Sequence, residues 1–210
     1  LPFLIPFLVF MTFGPKIKWI KDTSNKINYT QVALLIISLA ISLLIVNQTS
    51  INLLFSIPLM AASIYLFVNT VWDFSKRDTS YAQKISHLGF SLLILSILVN
   101  SIFSSEVSSN MKIGDELTSG NKTIKFINLK EFKKKNYLSL IAEFKIKDND
   151  SSFILKPELR VYNQPETITS EADIKTSLYS DNFIVFNILK EEDYFNVRYQ
   201  NKTMMIWIWI

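Results

Sequence analysis

The sequence predicts a membrane protein in which a bundle of α-helices is followed by a small antiparallel β domain, either a sandwich or a barrel. Two observations support this fold class. Residues 1–104 contain long apolar runs with short polar connections, whereas residues 105–203 are polar and carry apolar side chains at alternate positions. Runs of about 20 apolar residues are typical of transmembrane helices, and alternation with period two is typical of half-buried strands.

The apolar residues are concentrated in three full runs and in shorter runs near the two chain ends. These runs are Leu1–Phe13, Val32–Val46, Ile51–Trp72, Ile85–Phe103 and Met204–Ile210. We expect residues 1–104 to form about four transmembrane spans, the first of them truncated, and residues 204–210 to begin a further span. The chain opens on Leu1 rather than Met, so we also expect it to be a fragment of a longer membrane protein.

The charges of the connections predict how the chain crosses the membrane. Two connections are basic, and residues 47–50 between them carry no charge. The basic residues are Lys16, Lys18, Lys21 and Lys26 in one connection and Lys76, Arg77 and Lys84 in the other. Because cytoplasmic loops are enriched in Lys and Arg, both basic connections are expected in the cytoplasm. Residues 105–203 would then lie outside, in the periplasm of a Gram-negative cell.

Composition excludes several kinds of site. The chain has no cysteine, which rules out disulfides, thiolate metal sites, a cysteine nucleophile and covalent attachment of haem to this chain. It has four glycines and no Gly-rich loop of the kind that binds phosphates. The net charge of +4 is modest and many of the basic residues flank apolar runs, so nucleic acid is not an expected partner.

Alternating patterns predict the strands of the polar part. In Tyr137–Lys147 the residues Leu138, Leu140, Ala142, Phe144 and Ile146 should face a core, and Ser139, Glu143, Lys145 and Lys147 should face solvent. Further strands are expected at Ile124–Phe126, Ile184–Ile188 and Phe195–Tyr199, with Glu191–Asp193 as a hairpin loop. Phe153–Tyr162 is predicted as one strand, in which Pro157 indicates an edge or a bulge. About six strands in about 100 residues indicate a small sandwich or barrel.

His87, the only histidine of the chain, lies near the start of the apolar run Ile85–Phe103. An ionisable side chain inside a transmembrane helix marks a functional site by default, and imidazole commonly binds haem iron or other metals. A simpler alternative is a histidine at the helix start, bonded to Ser86 or to a backbone carbonyl. Proton transfer and packing between helices are further alternatives. Gly89 removes a side chain nearby, which would let a flat macrocycle or another helix approach.

Two other features have both a structural and a functional interpretation. Glu158 and Arg160 lie two positions apart on one face of a predicted strand, beside Pro157. A surface ion pair is the simpler interpretation, since exposed pairs are common and contribute little.

Pro58 lies inside the apolar run Ile51–Trp72 and removes one helical hydrogen bond. We interpret it as a kink that neighbouring helices accommodate.

A series of short motifs runs through the chain in step with the apolar runs. The motifs are Gly14-Pro15 with Trp19; Ser86-His87-Leu88-Gly89; Lys112-Ile113-Gly114-Asp115; Leu155-Lys156-Pro157-Glu158 with Arg160 and Tyr162; Thr169–Ile174; Leu178-Tyr179; and Val197-Arg198-Tyr199 before Trp207-Ile208-Trp209. In order and spacing, over nearly the whole chain, the series resembles the C-terminal part of the CcmF family, the haem lyase subunits of cytochrome c-type biogenesis.

The resemblance implies a multi-span component of the bacterial inner membrane. Such proteins receive haem from a periplasmic haem chaperone and, with thiol-handling partner subunits, help to attach it covalently to apocytochrome c. The resemblance also implies a haem b held between two transmembrane histidines. His87 matches the second of these and would be an axial ligand of the haem iron.

Other parts of the family's haem-handling machinery precede the matched region. The resemblance therefore implies that this chain alone neither completes the haem site nor catalyses attachment, and that its β domain docks the chaperone, the partner subunits or the apocytochrome. A second hypothesis is a non-enzymatic membrane scaffold or transporter subunit whose β domain binds a partner. A proton-coupled pump fits less well, because one histidine without an intramembrane carboxylate does not make a relay.

Overall fold

The computed structural model describes residues 3–13, 29–47, 53–75, 80–148, 151–189 and 194–210. Contacts divide the chain into two compact units. One comprises Leu1–Ile102 together with Trp207–Ile210, and the other comprises Phe103–Ile206. The first unit is helical and the second is built of antiparallel strands, which confirms the predicted fold class.

In the described part of the apolar unit the long helices are α1 (Leu4–Phe13), α2 (Tyr29–Val46), α3 (Leu53–Phe74) and α4 (Tyr81–Phe103), and a short helix α5 (Ile206–Trp209) follows the β unit. Among the described residues, three helices are long and apolar enough to cross a membrane, and they lie within α2, α3 and α4. Helix α1 has ten residues. At a rise of about 1.5 Å per residue it spans roughly half of a bilayer core.

Hydrogen bonds from polar side chains connect helices α2 and α3. The Tyr65 hydroxyl donates to Gln31 Oε1 at 2.7 Å, and Ser42 Oγ donates to the backbone carbonyl of Ile57 at 2.7 Å. Ile57 directly precedes Pro58, which lies inside α3. A proline inside a helix removes the donor to the carbonyl four residues before it, so the Ile57 carbonyl is not the group that Pro58 frees. The Ser42 bond therefore connects helix α2 to α3 beside Pro58, and the accommodation of Pro58 by neighbouring helices stays a prediction.

Helices α1, α3 and α4 share an apolar cluster. Its buried members are Leu8, Leu59, Ala62 and Leu66, and Phe90, Ile94 and Leu98 of α4 pack against them. Several hydroxyl groups along these helices, such as that of Ser63, donate to the carbonyl four residues earlier. Such bonds let small polar residues lie at helix interfaces without an unsatisfied donor.

The β unit consists of two sheets. The strands are β1 (Ser105–Met111), β2 (Glu116–Ser119), β3 (Lys122–Lys133), β4 (Tyr137–Asp148), β5 (Ser151–Leu155), β6 (Glu158–Asn163), β7 (Glu166–Glu171), β8 (Asp173–Thr176), β9 (Ser180–Ile188) and β10 (Phe195–Thr203). Sheet 1 has the order β1-β10-β9-β8, and sheet 2 has the order β2-β3-β4-β6-β7 with β5 also paired to β4. Two separate sheets make a sandwich rather than a barrel.

The first and last strands of this unit pair with each other. Ser105 of β1 lies opposite Asn201 of β10, and the ladder continues to Met111 opposite Phe195. Near the start of the ladder the Thr203 amide donates to Ser104 Oγ at 3.1 Å. The two connections of the β unit to the apolar helices are therefore adjacent.

An aromatic core lies between the sheets. Phe126 and Phe144 of sheet 2 stack at 4.6 Å between ring centroids. Phe195 of sheet 1 contacts Phe126 edge-to-face at 5.7 Å, and Phe186 lies 6.4 Å from Phe144. Ile124, Ile184 and Val197 are among the other fully buried members. Aromatic pairs in these geometries stabilise a core beyond the area that they bury.

A buried polar cluster also joins the two sheets. Lys122, at the start of β3, is 7% exposed, and its ammonium donates to Asn182 Oδ1 of β9 at 2.8 Å. The Tyr199 hydroxyl of β10 donates to the same oxygen at 2.6 Å, and Asp148 of β4 lies 3.6 Å from the ammonium. Burial, with a smaller contribution from Asp148, raises the pKa of Tyr199. A buried ammonium needs such partners because an unpaired one is very costly.

The structure corrects the predicted strand Phe153–Tyr162. Two strands, β5 and β6, occupy this segment, and Lys156-Pro157 separates them. Both pair with β4, and the Ala142 amide donates to the Pro157 carbonyl at 3.1 Å, so the ladder continues across the break. Pro157 therefore interrupts an inner position of sheet 2, in the manner of a bulge, because it has no N–H to donate.

The estimate of about six strands was too low, because ten strands are described. The missed strands include β1, β7 and β8, whose sequences are too polar to give an alternating pattern. Ser139 was also wrongly assigned to solvent, since it is fully buried. The predicted hairpin loop Glu191–Asp193 lies outside the described residues, although β9 and β10 pair on either side of it.

Replacing Phe144 by Ala should destabilise the β unit by about 3–5 kcal/mol, because it leaves a cavity between two aromatic rings of the core. Phe132→Ala is the matched control, since Phe132 is 44% exposed, and its effect should stay within about 0.5 kcal/mol. Thermal unfolding of the purified protein in detergent, followed by circular dichroism of the β signal, checks both. Equal effects of the two substitutions would contradict the assigned core.

Candidate functional site

His87 lies inside α4 rather than at its beginning. The helix starts at Tyr81, which makes His87 its seventh residue. At about 1.5 Å per residue, the backbone of His87 is about 9 Å along the axis from the helix start. The apolar run of the sequence begins four residues later, at Ile85. The side chain is half-buried, so it is partly accessible from outside the helix bundle.

The structure provides no hydrogen bond for the imidazole among the residues that it describes. Ser86 Oγ, the partner expected if His87 merely capped the helix, donates instead to the Ala82 carbonyl at 2.9 Å. Ser91, one turn further on, donates to the Leu88 carbonyl at 2.9 Å. The simpler alternative was a bond from His87 to Ser86 or to a backbone carbonyl, and neither bond is present among the described residues.

The surroundings of His87 differ from the prediction in two respects. Positions two apart on a helix point in different directions, so Gly89 does not open space beside the imidazole. The helical neighbours of His87 are Gln83 and Lys84, one turn before it, and Phe90 and Ser91, one turn after it. Lys84 had been assigned to a cytoplasmic loop, but it is buried in the first turns of α4, near the Tyr81 ring at 5.4 Å.

These surroundings fit an axial ligand of haem iron. A haem needs only one protein donor on each face of the iron. His87 supplies one imidazole on a mostly apolar helix, and Ser91 is a small neighbour one turn away. The described residues contain no group of three or more metal-binding side chains, so a site built from several ligands within them is not indicated. As the chain has one histidine, a second histidine ligand would have to come from elsewhere.

A second candidate site lies on the face of sheet 2 that points away from the core. Arg160 Nη2 lies 2.8 Å from Glu158 Oε2, and Arg160 Nη1 lies 3.5 Å from Glu171 Oε1. Buried Ser139 of the neighbouring strand donates to the other oxygen of Glu158 at 2.6 Å. The ion pair that the sequence predicted from Glu158 and Arg160 is therefore present. We call these residues, with Tyr137 and Tyr162, the Arg160 cluster.

Two tyrosines complete the Arg160 cluster. The guanidinium carbon of Arg160 lies 5.5 Å from the Tyr137 ring centroid, and the rings of Tyr137 and Tyr162 are 5.2 Å apart. Arg160 Nε and the hydroxyl oxygen of Thr169, its cross-strand neighbour on β7, are both buried and have no partner among the described residues. The sequence did not reveal Tyr137, Ser139 or Thr169 as members, because strand pairing alone brings them to Arg160.

The protonation states of Glu158 and Arg160 limit the chemistry that the Arg160 cluster can perform. The hydrogen bond from Arg160 lowers the pKa of the Glu158 carboxyl, with help from Ser139 and against partial burial. The same contact raises the pKa of Arg160. Both groups therefore keep their charges near neutral pH, where a general acid or base must change its charge. The Arg160 cluster is suited to binding a partner rather than to proton transfer.

A family model and curated relatives match this chain. The model described as the CcmF C-terminal beta-sandwich matches residues 102–203, which form the β unit. The cytochrome c-type biogenesis protein CcmF of Escherichia coli strain K12 is 24% identical over 216 aligned positions, covering 98% of this chain and 33% of the relative. The protein of the same name from Haemophilus influenzae is 23% identical, covering 99% of this chain and 35% of the relative.

A solved structure has the same fold. The cytochrome c heme lyase CcmF matches 99% of this chain with a TM-score of 0.71 and 16% identity, and the match covers 36% of that protein. The chain thus spans about a third of the length of the relatives that it matches. At this identity the structural match shows that helices and β unit share an architecture with the relative.

The Arg160 cluster should make stability depend on pH at the acid end. Glu158 has a lowered folded-state pKa, so its contribution is present above the ordinary glutamate pKa of about 4.3 and is lost as pH falls through the lower folded-state value. Wild type should therefore unfold at higher temperature than Glu158→Gln at pH 7, with the difference shrinking below about pH 4. Thermal unfolding between pH 3 and 7 checks this; a difference that does not change with pH would contradict it.

Proposed function

Because the chain belongs to the CcmF family of cytochrome c-type biogenesis proteins, we propose that it is part of the membrane haem lyase that attaches haem to apocytochrome c. The main support for this proposal is that the relatives match nearly the whole chain, across both the helices and the β unit. The matched relatives are about three times as long. In this proposal the rest of the protein supplies the parts that handle incoming haem.

We propose His87 as an axial ligand of a haem b within the helix bundle. Three features support it: a half-buried imidazole inside a helix of spanning length, no capping partner among the described residues, and a small serine one turn away. When bound, the haem would supply one-electron chemistry. The role of this chain is to present the imidazole nitrogen to the iron from a helix of spanning length, with the apolar ring of Phe90 one turn away. The second axial ligand lies outside this chain.

The proposed orientation places the β unit in the periplasm of a bacterial inner membrane. The support is the excess of Lys and Arg in the two connections on the opposite side of the apolar runs. His87 then lies nearer to the cytoplasmic side, where electrons from a membrane quinol could reach the haem. Acceptance of haem from a chaperone and transfer to apocytochrome c take place on the other side, where the β unit is.

We propose that the β unit docks the haem chaperone, the thiol-handling partner subunits or the apocytochrome. The Arg160 cluster supports this role, since Arg and Tyr are enriched among residues that dominate binding at protein interfaces. The Arg160 side chain is 32% exposed, so a partner group can reach its guanidinium. Nearby, Glu143 pairs with Lys130 at 3.0 Å and with Lys156 at 3.3 Å, so the same face offers further fixed charges.

Replacing His87 by Ala in the full-length protein should remove most of the haem b absorption in reduced-minus-oxidised spectra, because the iron loses an axial ligand. Gly89→Ala is the matched control. A Cβ at Gly89 meets no atom within 4 Å, and this position points away from His87, so its spectrum should equal that of wild type.

An unchanged haem spectrum in the His87→Ala protein would contradict the assignment of His87 as a ligand of the haem iron. If the wild-type protein binds no haem at any stage, and its deletion leaves c-type cytochromes intact, the proposal as a whole fails in favour of a membrane scaffold or transporter subunit.

A further inference from the structure

The turn between β8 and β9 presents two apolar side chains outward. Ser177 and Ser180 close the turn, with the Ser177 amide donating to the Ser180 carbonyl at 3.1 Å and the Ser180 amide donating to Ser177 Oγ at 3.0 Å. Leu178 and Tyr179 lie between them and are 58% and 77% exposed. A turn closed by backbone and serine bonds has a defined shape, so the two side chains are held outward.

This turn lies at the end of the β unit where the chain joins the apolar helices. The Met204 amide donates to the Tyr179 carbonyl at 2.8 Å, and Ser180 lies opposite Thr203 in the sheet. Thr203 Oγ1 in turn donates to the carbonyl of Phe103, the last residue of α4, at 3.3 Å. The Leu178–Tyr179 turn is therefore next to both covalent connections to the apolar helices.

The position of these connections indicates how deep in the membrane the turn lies. Helix α4 is long and apolar enough to cross a membrane, and it ends at Phe103. The end of a spanning helix lies in the interfacial zone of the bilayer, where Tyr and Trp are enriched because their rings are apolar and their tips polar. Because the turn is bonded to residues next to that end, we expect it at a similar depth in the membrane.

We propose that the Leu178–Tyr179 turn inserts into the headgroup region of the lipid bilayer and fixes the β unit against the membrane surface. The occupant of this exposed apolar patch is lipid, because the patch is continuous with two segments that lead into the membrane. The leucine contributes apolar contact and the tyrosine hydroxyl faces the headgroups. The inference needs α4 to cross the membrane, and it does not depend on haem binding or on the lyase activity.

The turn at the other end of β1 provides a matched control. Ile113 is 54% exposed and lies between Lys112 and Asp115, whose carboxylate accepts from the Lys112 amide at 2.8 Å. Strand β1, from Ser105 to Met111, connects the end of the β unit next to the apolar helices with the end where Ile113 lies. At about 3.4 Å per residue the two turns are separated by about 20 Å along the strand, which exceeds the depth of the interfacial zone.

The absence of cysteine from this chain permits a direct test. Tyr179→Cys and Ile113→Cys proteins are labelled with an environment-sensitive fluorophore and reconstituted in phosphatidylcholine nanodiscs, with or without a nitroxide-labelled phospholipid. We expect a blue-shifted emission at position 179 that the lipid nitroxide quenches several-fold more strongly than the emission at position 113. Circular dichroism checks that both proteins keep the β signal.

Two outcomes would overturn the proposal. Water-like emission and equal quenching at both positions would show that the turn lies in solvent. A blue-shifted emission at position 179 that the lipid nitroxide does not quench would show that protein, rather than lipid, covers the turn.

Discussion

The burial of one face of each sheet against the other is the interaction on which the β unit depends. Phe126 and Phe144 from sheet 2 meet Phe186 and the other aromatic residues of sheet 1, and the Lys122 ammonium bridges the sheets through Asn182. Once these faces are buried, period-two alternation leaves the opposite face of sheet 2 for polar groups. The outward-facing position of the Arg160 cluster is thus a consequence of the core, and so is the placement of connecting turns at the ends of the sandwich.

Sequence patterns predicted the helices and strands that bury one face or all of their side chains. They failed for strands whose formation depends on hydrogen bonds to a neighbouring strand. Apolar runs identified α2, α3 and α4, but α4 begins four residues before its apolar run, because Tyr81, Gln83 and Lys84 are polar at their tips. Period-two alternation predicted β4 and β10, while β7 and β8 have little apolar pattern and owe their structure to the ladder with β6 and β9. Local sequence does not encode such ladders, because the partner strand supplies the hydrogen bonds.

In the candidate sites, too, the sequence predicted some features and left others to the structure. His87 was identifiable as an ionisable residue in an apolar run, yet its distance from the helix start and the bond of Ser86 to Ala82 required the structure. Lys122 shares the parity of Ile124 and Phe126 along β3, and this signal would have predicted an inward-facing lysine. Ser139 gave no such signal, since it is buried by Glu158 and its neighbours on another strand rather than by the core.

The order of strands in the two sheets determines when each sheet can assemble. Sheet 2 consists of strands that follow one another closely in the chain, from β2 to β7. Sheet 1 needs β1 and β10, and paired residues such as Glu106 and Gln200 are 94 positions apart. Local contacts form faster than distant ones, because closing a long loop costs more entropy. Sheet 2 should therefore fold while synthesis continues, whereas sheet 1 closes only after β10 has been made and the whole segment has reached the same side of the membrane.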